Sequence, residues 1–309
     1  MTAFALGIGL SFLAAFGWGI GFITYKLGVK STDPLTATFL RGLVAIPLII
    51  TISVLLYGIE SLTVFFKGEA SLWLILSAIT ITLGDFFSLF SMKKLDASIS
   101  QPISATYPLF TNIILLIGGI EKVTTQIIIG TLLNVIGAGI ISFQTNRKDE
   151  NGLEKSQEEK RNNLQGMIFA ILAALAWGFT IVFTKILLSF DGINVIPMLG
   201  IRNGIMILIA GIGISISYLR NKLNKIDKKL TSKKDLSFLI LGGIVTWGAG
   251  GISFFTAVTL IGAARSTPIS SISPFFVLLL GSVFLKEKIS KLQLLGVVSI
   301  VCGSILLSI

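Results

Sequence analysis

The sequence predicts an all-α integral membrane protein of ten transmembrane helices, arranged as two inverted five-helix repeats. Three observations predict it: the chain is too apolar for a soluble domain, its apolar runs have bilayer length, and its second half echoes its first. Of 309 residues, 53% are hydrophobic and 13% charged, with a mean hydropathy of +0.90; soluble domains carry about 25% charged residues. A helix rising ~1.5 Å per residue needs roughly twenty residues to cross ~30 Å of hydrocarbon. Runs of that length fall at 4–25, 36–57, 71–92, 97–118, 124–144, 165–186, 194–217, 236–258, 266–285 and 292–309. Their continuity argues for helices over barrel strands, which alternate in segments of about ten residues.

Span 1 has its basic flank, Lys26 and Lys30, after the apolar run, and so reads as a retained helix, not a secretory signal. Spans 2 and 3 each carry a charge, Arg41 and Asp85. Span 4 contains SQPISATYPLF, Ser100 to Phe110, and span 9 contains STPISSISPFF, Ser266 to Phe276, the same pattern 166 positions later. At that offset Glu121-Lys122 also matches Glu287-Lys288, Gly130 matches Gly296 and Gly137 matches Gly303. AAFGWG at Ala14 answers AALAWG at Ala173 and Lys26 answers Lys185, both 159 positions on, while Arg41 answers Arg202 at 161. The repeats are expected at 1–145 and 165–309, with a mixed-charge polar linker at 146–164. Five spans is an odd number, so the second copy enters the membrane from the opposite side. In such inverted repeats, transport sites lie near the midplane between the copies.

Of 25 Lys and Arg, Arg41 and Arg202 fall inside spans, four (Lys67, Lys122, Lys185, Arg265) lie on one side and the other nineteen on the opposite side. By the positive-inside rule this places both termini outside the cytoplasm. The net charge of +10 is thus an orientation signal. The basic loop Arg220 to Leu236 touches lipid headgroups and lacks the aromatic interleaving of a nucleic-acid binder, so membrane lipids are expected partners and nucleic acid is not.

The chain has no histidine and a single cysteine, Cys302, expected as a small core residue. This removes the commonest general base and metal ligand, and with them the usual intramembrane hydrolases. No catalytic residue, metal or cofactor is expected, and there is no GxxxxGK[ST] for nucleotide. An intramembrane enzyme remains the alternative from another class.

Ser100, Ser104, Tyr107 and Thr111 recur at helical spacing and predict a polar stripe; Ser266, Ser270 and Ser273 form its counterpart. Pro102, Pro108, Pro268 and Pro274 predict helix breaks, because proline lacks the N–H that would serve the carbonyl four residues back. Freed carbonyls in hydrocarbon must face protein, water or a ligand, which makes the stripes candidate substrate contacts or a close packing face. Trp18 and Trp177 lie mid-span, where they either wall a substrate or pack in the core. Asp85, the one acid deep in a span, lies within about a turn of Arg41 in depth and pairs with it either as a proton switch or as a static brace. Gly251 stands where the second half would carry the mate of Asp85. Glu121 and Glu287 are read as structural, and Ser290 with Gln293 as a capping box.

These residues also carry a resemblance. The Trp-Gly and following Lys of spans 1 and 6, Arg41 and Arg202, the twin prolines of spans 4 and 9 and the Glu-Lys pairs after them resemble the EamA family of the drug/metabolite transporter superfamily. The resemblance implies a ten-helix plasma-membrane carrier whose cavity is lined mainly by spans 1, 3, 4, 6, 8 and 9. It implies a small-molecule substrate such as an amino acid or drug-like metabolite, moved by alternating access, with export as the first direction and gradient-driven sugar uptake as the alternative. Protons are the candidate coupling ion.

Overall fold

The computed structural model describes residues 2–29, 32–66, 68–143, 156–223, 232–286 and 289–308. Lys30, Lys67, Glu287, Lys288, linker residues 146–155 and residues 224–231 of the basic loop lie outside them. Every regular element among the described residues is helical. In chain order these are α1 (Ala3–Gly28), α2 (Pro34–Tyr57), α3 (Ala70–Lys94), α4 (Ala97–Ser104), α5 (Tyr107–Ile117), α6 (Thr125–Phe143) and α7 (Gln157–Leu187). They continue with α8 (Val195–Leu223), α9 (Lys233–Gly243), α10 (Gly251–Ile261), α11 (Ala263–Ser270), α12 (Ser273–Leu280) and α13 (Lys291–Ser308). A π-helical stretch, Ile244–Gly250, joins α9 to α10, and another, Gly281–Leu285, follows α12.

Seven stretches among the described residues are long and apolar enough to cross a membrane: Ala3–Gly28, Pro34–Tyr57, Ala70–Lys94, Gln157–Leu187, Val195–Ile216, Lys233–Ile261 and Ala263–Phe284. Thr125–Gly137 and Lys291–Gly303 are shorter apolar helices, and α4 with α5 forms a further broken pair. Large apolar side chains such as Leu55, Ile117 and Val283 point outward, as a lipid-facing surface requires.

The helix ends follow local chemistry. Asp33 caps α2 by accepting from Thr36 N at 3.1 Å, with Pro34 in the first turn, where its missing N–H removes no helical bond. Ser156 and Glu159 form a reciprocal capping box that starts α7. Residues 157–164 at the end of the expected linker are the first two turns of that helix. The Ser-x-x-Glu signal was present in the sequence but was outweighed by the polarity around it. Ser290 and Gln293 make the expected box at α13, with bonds of 2.8 and 3.1 Å. Cys302 is exposed, against the expected core position. It follows from how α13 packs on α6, through Gly296, Ile300 and Gly303, with residue 302 turned about 100° from its neighbour.

The breaks in spans 4 and 9 fall between the prolines. Ala105–Thr106 separates α4 from α5, and Ser271–Ile272 separates α11 from α12. Pro102 and Pro268 lie inside α4 and α11 and do not end them. Pro108 and Pro274 instead open the next helices, in first turns whose N–H groups have no helical acceptor. At the first break Thr106 N donates to Ile103 O at 3.1 Å, a tightened turn, and at the second Ile272 N donates to Ile269 O at 3.4 Å.

Glycines set how the helices meet, and their contacts recur with the halves exchanged. A Cβ on Gly84 would fall 2.4 Å from the Trp177 ring, and one on Gly250 would fall 2.9 Å from the Trp18 ring. A Cβ on Gly19 would fall 2.5 Å from Phe276, as one on Gly178 would fall 2.8 Å from Phe110. A Cβ on Gly137 would fall 2.4 Å from Gly296 O, as one on Gly303 would fall 2.6 Å from Gly130 O. A Cβ on Gly248 would meet nothing within 4 Å.

Gly137→Val is expected to force α6 from α13 and lower the Tm in detergent by roughly 5–10 °C, the consequence of overpacking. Gly139→Val, at a position open within 4 Å, is the control expected to leave it unchanged.

Candidate functional site

The helices converge on a buried cavity with about 110 Å³ of space for water-sized groups, enough for several waters. Its walls come from α1 (Trp18, Phe22, Tyr25), α2 (Arg41), α3 (Asp85, Ser88), α4 (Gln101), α5 (Tyr107), α7 (Trp177, Thr180), α8 (Arg202), the first π stretch (Trp247), α10 (Gly251, Phe254, Phe255) and α12 (Ser273). Spans 2 and 7 therefore contribute their arginines to a wall that the resemblance assigns mainly to other spans.

One end of the chemistry is a closed ion pair. Arg41 Nη2 donates to Asp85 Oδ2, and Trp177 Nε1 donates to Asp85 Oδ1 at 3.1 Å. The Arg41 guanidinium lies 4.0 Å over the Tyr25 ring and 4.6 Å from that of Trp247. Aromatic faces attract a cation electrostatically, more so when it is desolvated. Tyr25 is in turn fixed by donating to Gly242 O at 2.9 Å.

Arg202 is arranged differently. Its Nε donates to Asn203 Oδ1 and its Nη1 to Thr184 Oγ1, both at 3.2 Å, and it lies 4.9 Å over Phe255. It is 3% exposed, and no carboxylate among the described residues pairs with it. The polar wall also includes Gln101, whose Nε2 donates to Ser273 Oγ at 2.6 Å while its Oε1 is buried with no hydrogen-bond partner among the described residues.

Of the residues expected from sequence, Trp18, Arg41, Asp85, Tyr107, Trp177 and Ser273 meet at the cavity. The other hydroxyls of the stripes are not among the residues that line it. Ser100 shares a 2.7 Å hydrogen bond with Ser91, Thr111 donates to Tyr107 O, and Ser266 donates to Gly262 O. Ser270 lies 2.6 Å from the Tyr107 hydroxyl, joining the two broken spans directly. Ser104 is buried without a hydrogen-bond partner among the described residues. The breaks disrupt the stripe because residues on either side of a tightened turn no longer share one helical face.

Sequence reasoning missed Gln101, Tyr25, Trp247, Phe254 and Phe255 as wall residues. Gln101 had a signal, the one amide beside the prolines of span 4; the aromatic residues look like any other apolar positions. Away from the cavity, Glu121 accepts from the N–H groups of Ala263 and Ala264 at 3.0 and 2.8 Å and pairs with Lys185 at 3.1 Å. This carboxylate at a helix N-terminus fits the structural reading.

An apolar helical bundle around a small central cavity, whose mainly apolar and aromatic wall carries a few buried polar and charged groups, is the architecture of a multi-pass membrane transport protein. The chain belongs to the EamA-like transporter family, whose description matches residues 5–143 and 164–309. It is 25% identical to an uncharacterized transporter of Archaeoglobus fulgidus over 98% of both chains. It is 27% identical to a Listeria innocua protein provisionally named for sugar uptake, covering 74% of this chain and 75% of that one. A Lactococcus lactis protein named in the same way is 24% identical over 98% of both chains. A solved crystal structure, 16% identical, superposes with a TM-score of 0.67 over 97% of this chain and 94% of that one, and shows a shared fold.

Removing one member of a buried ion pair leaves the other charge unpaired. Asp85→Ala is expected to lower the Tm by roughly 10 °C, and Arg41→Met/Asp85→Leu to recover at least half of that loss, both read by thermal unfolding in detergent.

Proposed function

We propose that the protein is a secondary carrier that moves a small organic metabolite, an amino acid, drug-like or related compound, by alternating access, rocking two inverted five-helix repeats around the cavity. The reading takes ten crossings in the plasma membrane, repeats at 1–145 and 165–309 and both termini outside the cytoplasm. The observation that carries it is a cavity with walls from both halves: Trp18, Arg41 and Asp85 from the first, Trp177, Arg202 and Ser273 from the second. A site shared between two rocking bodies is the arrangement that alternating access needs.

Trp18, Tyr107, Trp177 and Ser273 are its proposed substrate contacts. Ser100, Ser104, Thr111, Ser266 and Ser270 support them from behind, holding the broken spans together. The turns between Pro102 and Pro108 and between Pro268 and Pro274 are the proposed hinges. Export is the direction implied by the family resemblance. Uptake is the second reading, favoured by the sugar-uptake names of the Listeria and Lactococcus relatives. Protons enter as coupling ion through Asp85, the buried carboxylate at the junction of the two halves.

The test is counterflow in proteoliposomes with labelled sugars and amino acids. Saturable exchange of one class above protein-free vesicles is expected; its absence across the panel would remove the carrier reading. With Cys302 replaced by Ser, Tyr107→Cys and Ser273→Cys are expected to react with small aqueous thiol reagents, and Ser100→Cys to stay inert. With a substrate in hand, Asp85→Asn is expected to lose stimulation by a pH gradient, and unchanged stimulation takes protons out of the mechanism.

A further inference from the structure

The Asp85 site has a counterpart related to it by exchange of the two halves, and that counterpart lacks its carboxylate. In the first site, the donors are Trp177 Nε1 and the Arg41 guanidinium, and Gly84 lets the indole lie against α3 beside Asp85. The repeat register exchanges each of these: Trp177 for Trp18, Arg41 for Arg202, Gly84 for Gly250 and Asp85 for Gly251. The structure bears out the exchange in detail, because a Cβ on Gly84 would strike Trp177 Nε1 at 2.6 Å, and one on Gly250 would come within 3.0 Å of Trp18 Nε1.

Neither exchanged donor meets a carboxylate. The Trp18 indole N–H has no hydrogen-bond acceptor among the described residues, and Arg202 donates to neutral oxygens through Nε and Nη1. Both residues line the cavity, as does Gly251 between them in the register. At Gly251 there is room: an added Cβ would find its nearest neighbours, Thr246 O and Leu199, at 3.5 and 3.6 Å, ordinary contact distances. The cavity wall thus holds two buried guanidinium groups against one carboxylate. A buried cation with no anion in hydrogen-bonding contact is expensive inside a bilayer, and a guanidinium together with a further N–H donor suits a carboxylate's two oxygens.

We infer that Trp18 Nε1 and the Arg202 guanidinium, opening beside Gly251, form a subsite for the carboxylate of a small organic acid, which takes the place of the aspartate missing from the second half. The inference rests on the carrier reading and names the substrate class for its cavity. A carboxylated polyol fits the remaining wall, where Gln101 Oε1 is free to accept from a hydroxyl and Tyr107 and Trp177 offer ring faces.

The test compares matched probes on the purified full-length protein: D-gluconate against D-glucose, and lactate against lactamide, by thermal shift and tryptophan fluorescence at up to 10 mM. The carboxylates are expected to raise the Tm and quench fluorescence while the neutral partners do not. Gly251→Asp, which supplies the missing carboxylate from the chain, is expected to raise the Tm without ligand and abolish the response to the acids. Trp18→Phe keeps the ring and removes the N–H, and is expected to weaken carboxylate binding about tenfold, the effect of one lost hydrogen bond to a charged group. Equal responses to acids and neutral partners, no response to either acid, or an undiminished response in Trp18→Phe overturns the inference. Carboxylate binding without counterflow would leave the subsite standing and remove the carrier reading. Counterflow of neutral sugars alone would do the reverse.

Discussion

A charge held inside hydrocarbon needs its counter-charge nearby, and most of the central architecture follows from how the chain meets this demand for Arg41. The pair with Asp85 spans α2 and α3. Trp177 ties it to α7 through the second carboxylate oxygen, while Tyr25 and Trp247 bring α1 and the π-helical stretch against the guanidinium. Five segments are therefore held at one point. On transfer scales a single ionised side chain at the bilayer centre costs about 2.5–3.5 kcal/mol, so the cluster is stable only while its members stay together.

Such a cluster requires helices that approach closely, and glycine supplies the approach. Gly243 lies against the Arg41 backbone, where a Cβ would fall 2.2 Å from its carbonyl oxygen, and Gly42 lies against Ile207, where one would fall 2.2 Å away. Between membrane helices there is little hydrophobic gain from association, since lipid is as apolar as leucine, and contact comes from close packing and hydrogen bonds. The broken spans answer the same demand differently. Their tightened turns bring Tyr107 of one to Ser270 of the other, and Gln101 to Ser273, so the backbone irregularities face protein and not lipid.

The helical class, the apolar segments and the echo between the halves were legible in the sequence because hydrophobic length and repeat register are one-dimensional signals. So was the Arg41–Asp85 pair, since two opposite charges at similar depth in neighbouring spans have few other partners. The hydroxyl stripes were less legible. Their spacing assumed a continuous 3.6-residue helix, and the turns at 105–106 and 271–272 rotate the two parts of each span relative to one another. That rotation keeps Tyr107 and Ser273 on the cavity and turns Ser100 and Ser266 toward neighbouring backbone and hydroxyl groups. The aromatic wall was not legible either, because nothing local separates Phe254 or Trp247 from the many other apolar residues of an apolar chain.

The inequality between the halves is where duplication and function part. Two equivalent repeats with an aspartate in each would neutralise both guanidinium groups from within the chain. A ligand entering such a cavity would have to displace an internal partner, losing about as much interaction as it gained. With Gly251 in place of the second aspartate, the packing glycine Gly250, the indole of Trp18 and Arg202 keep their repeat-related positions while the acceptor is absent. The first site then holds the bundle together whether or not a ligand is bound, and its counterpart offers donors that meet no carboxylate of the described residues. A ligand that satisfies them while the cavity is occluded lowers the energy of that state relative to either open one, and such differential stabilisation is the condition for a bound molecule to shift a conformational equilibrium.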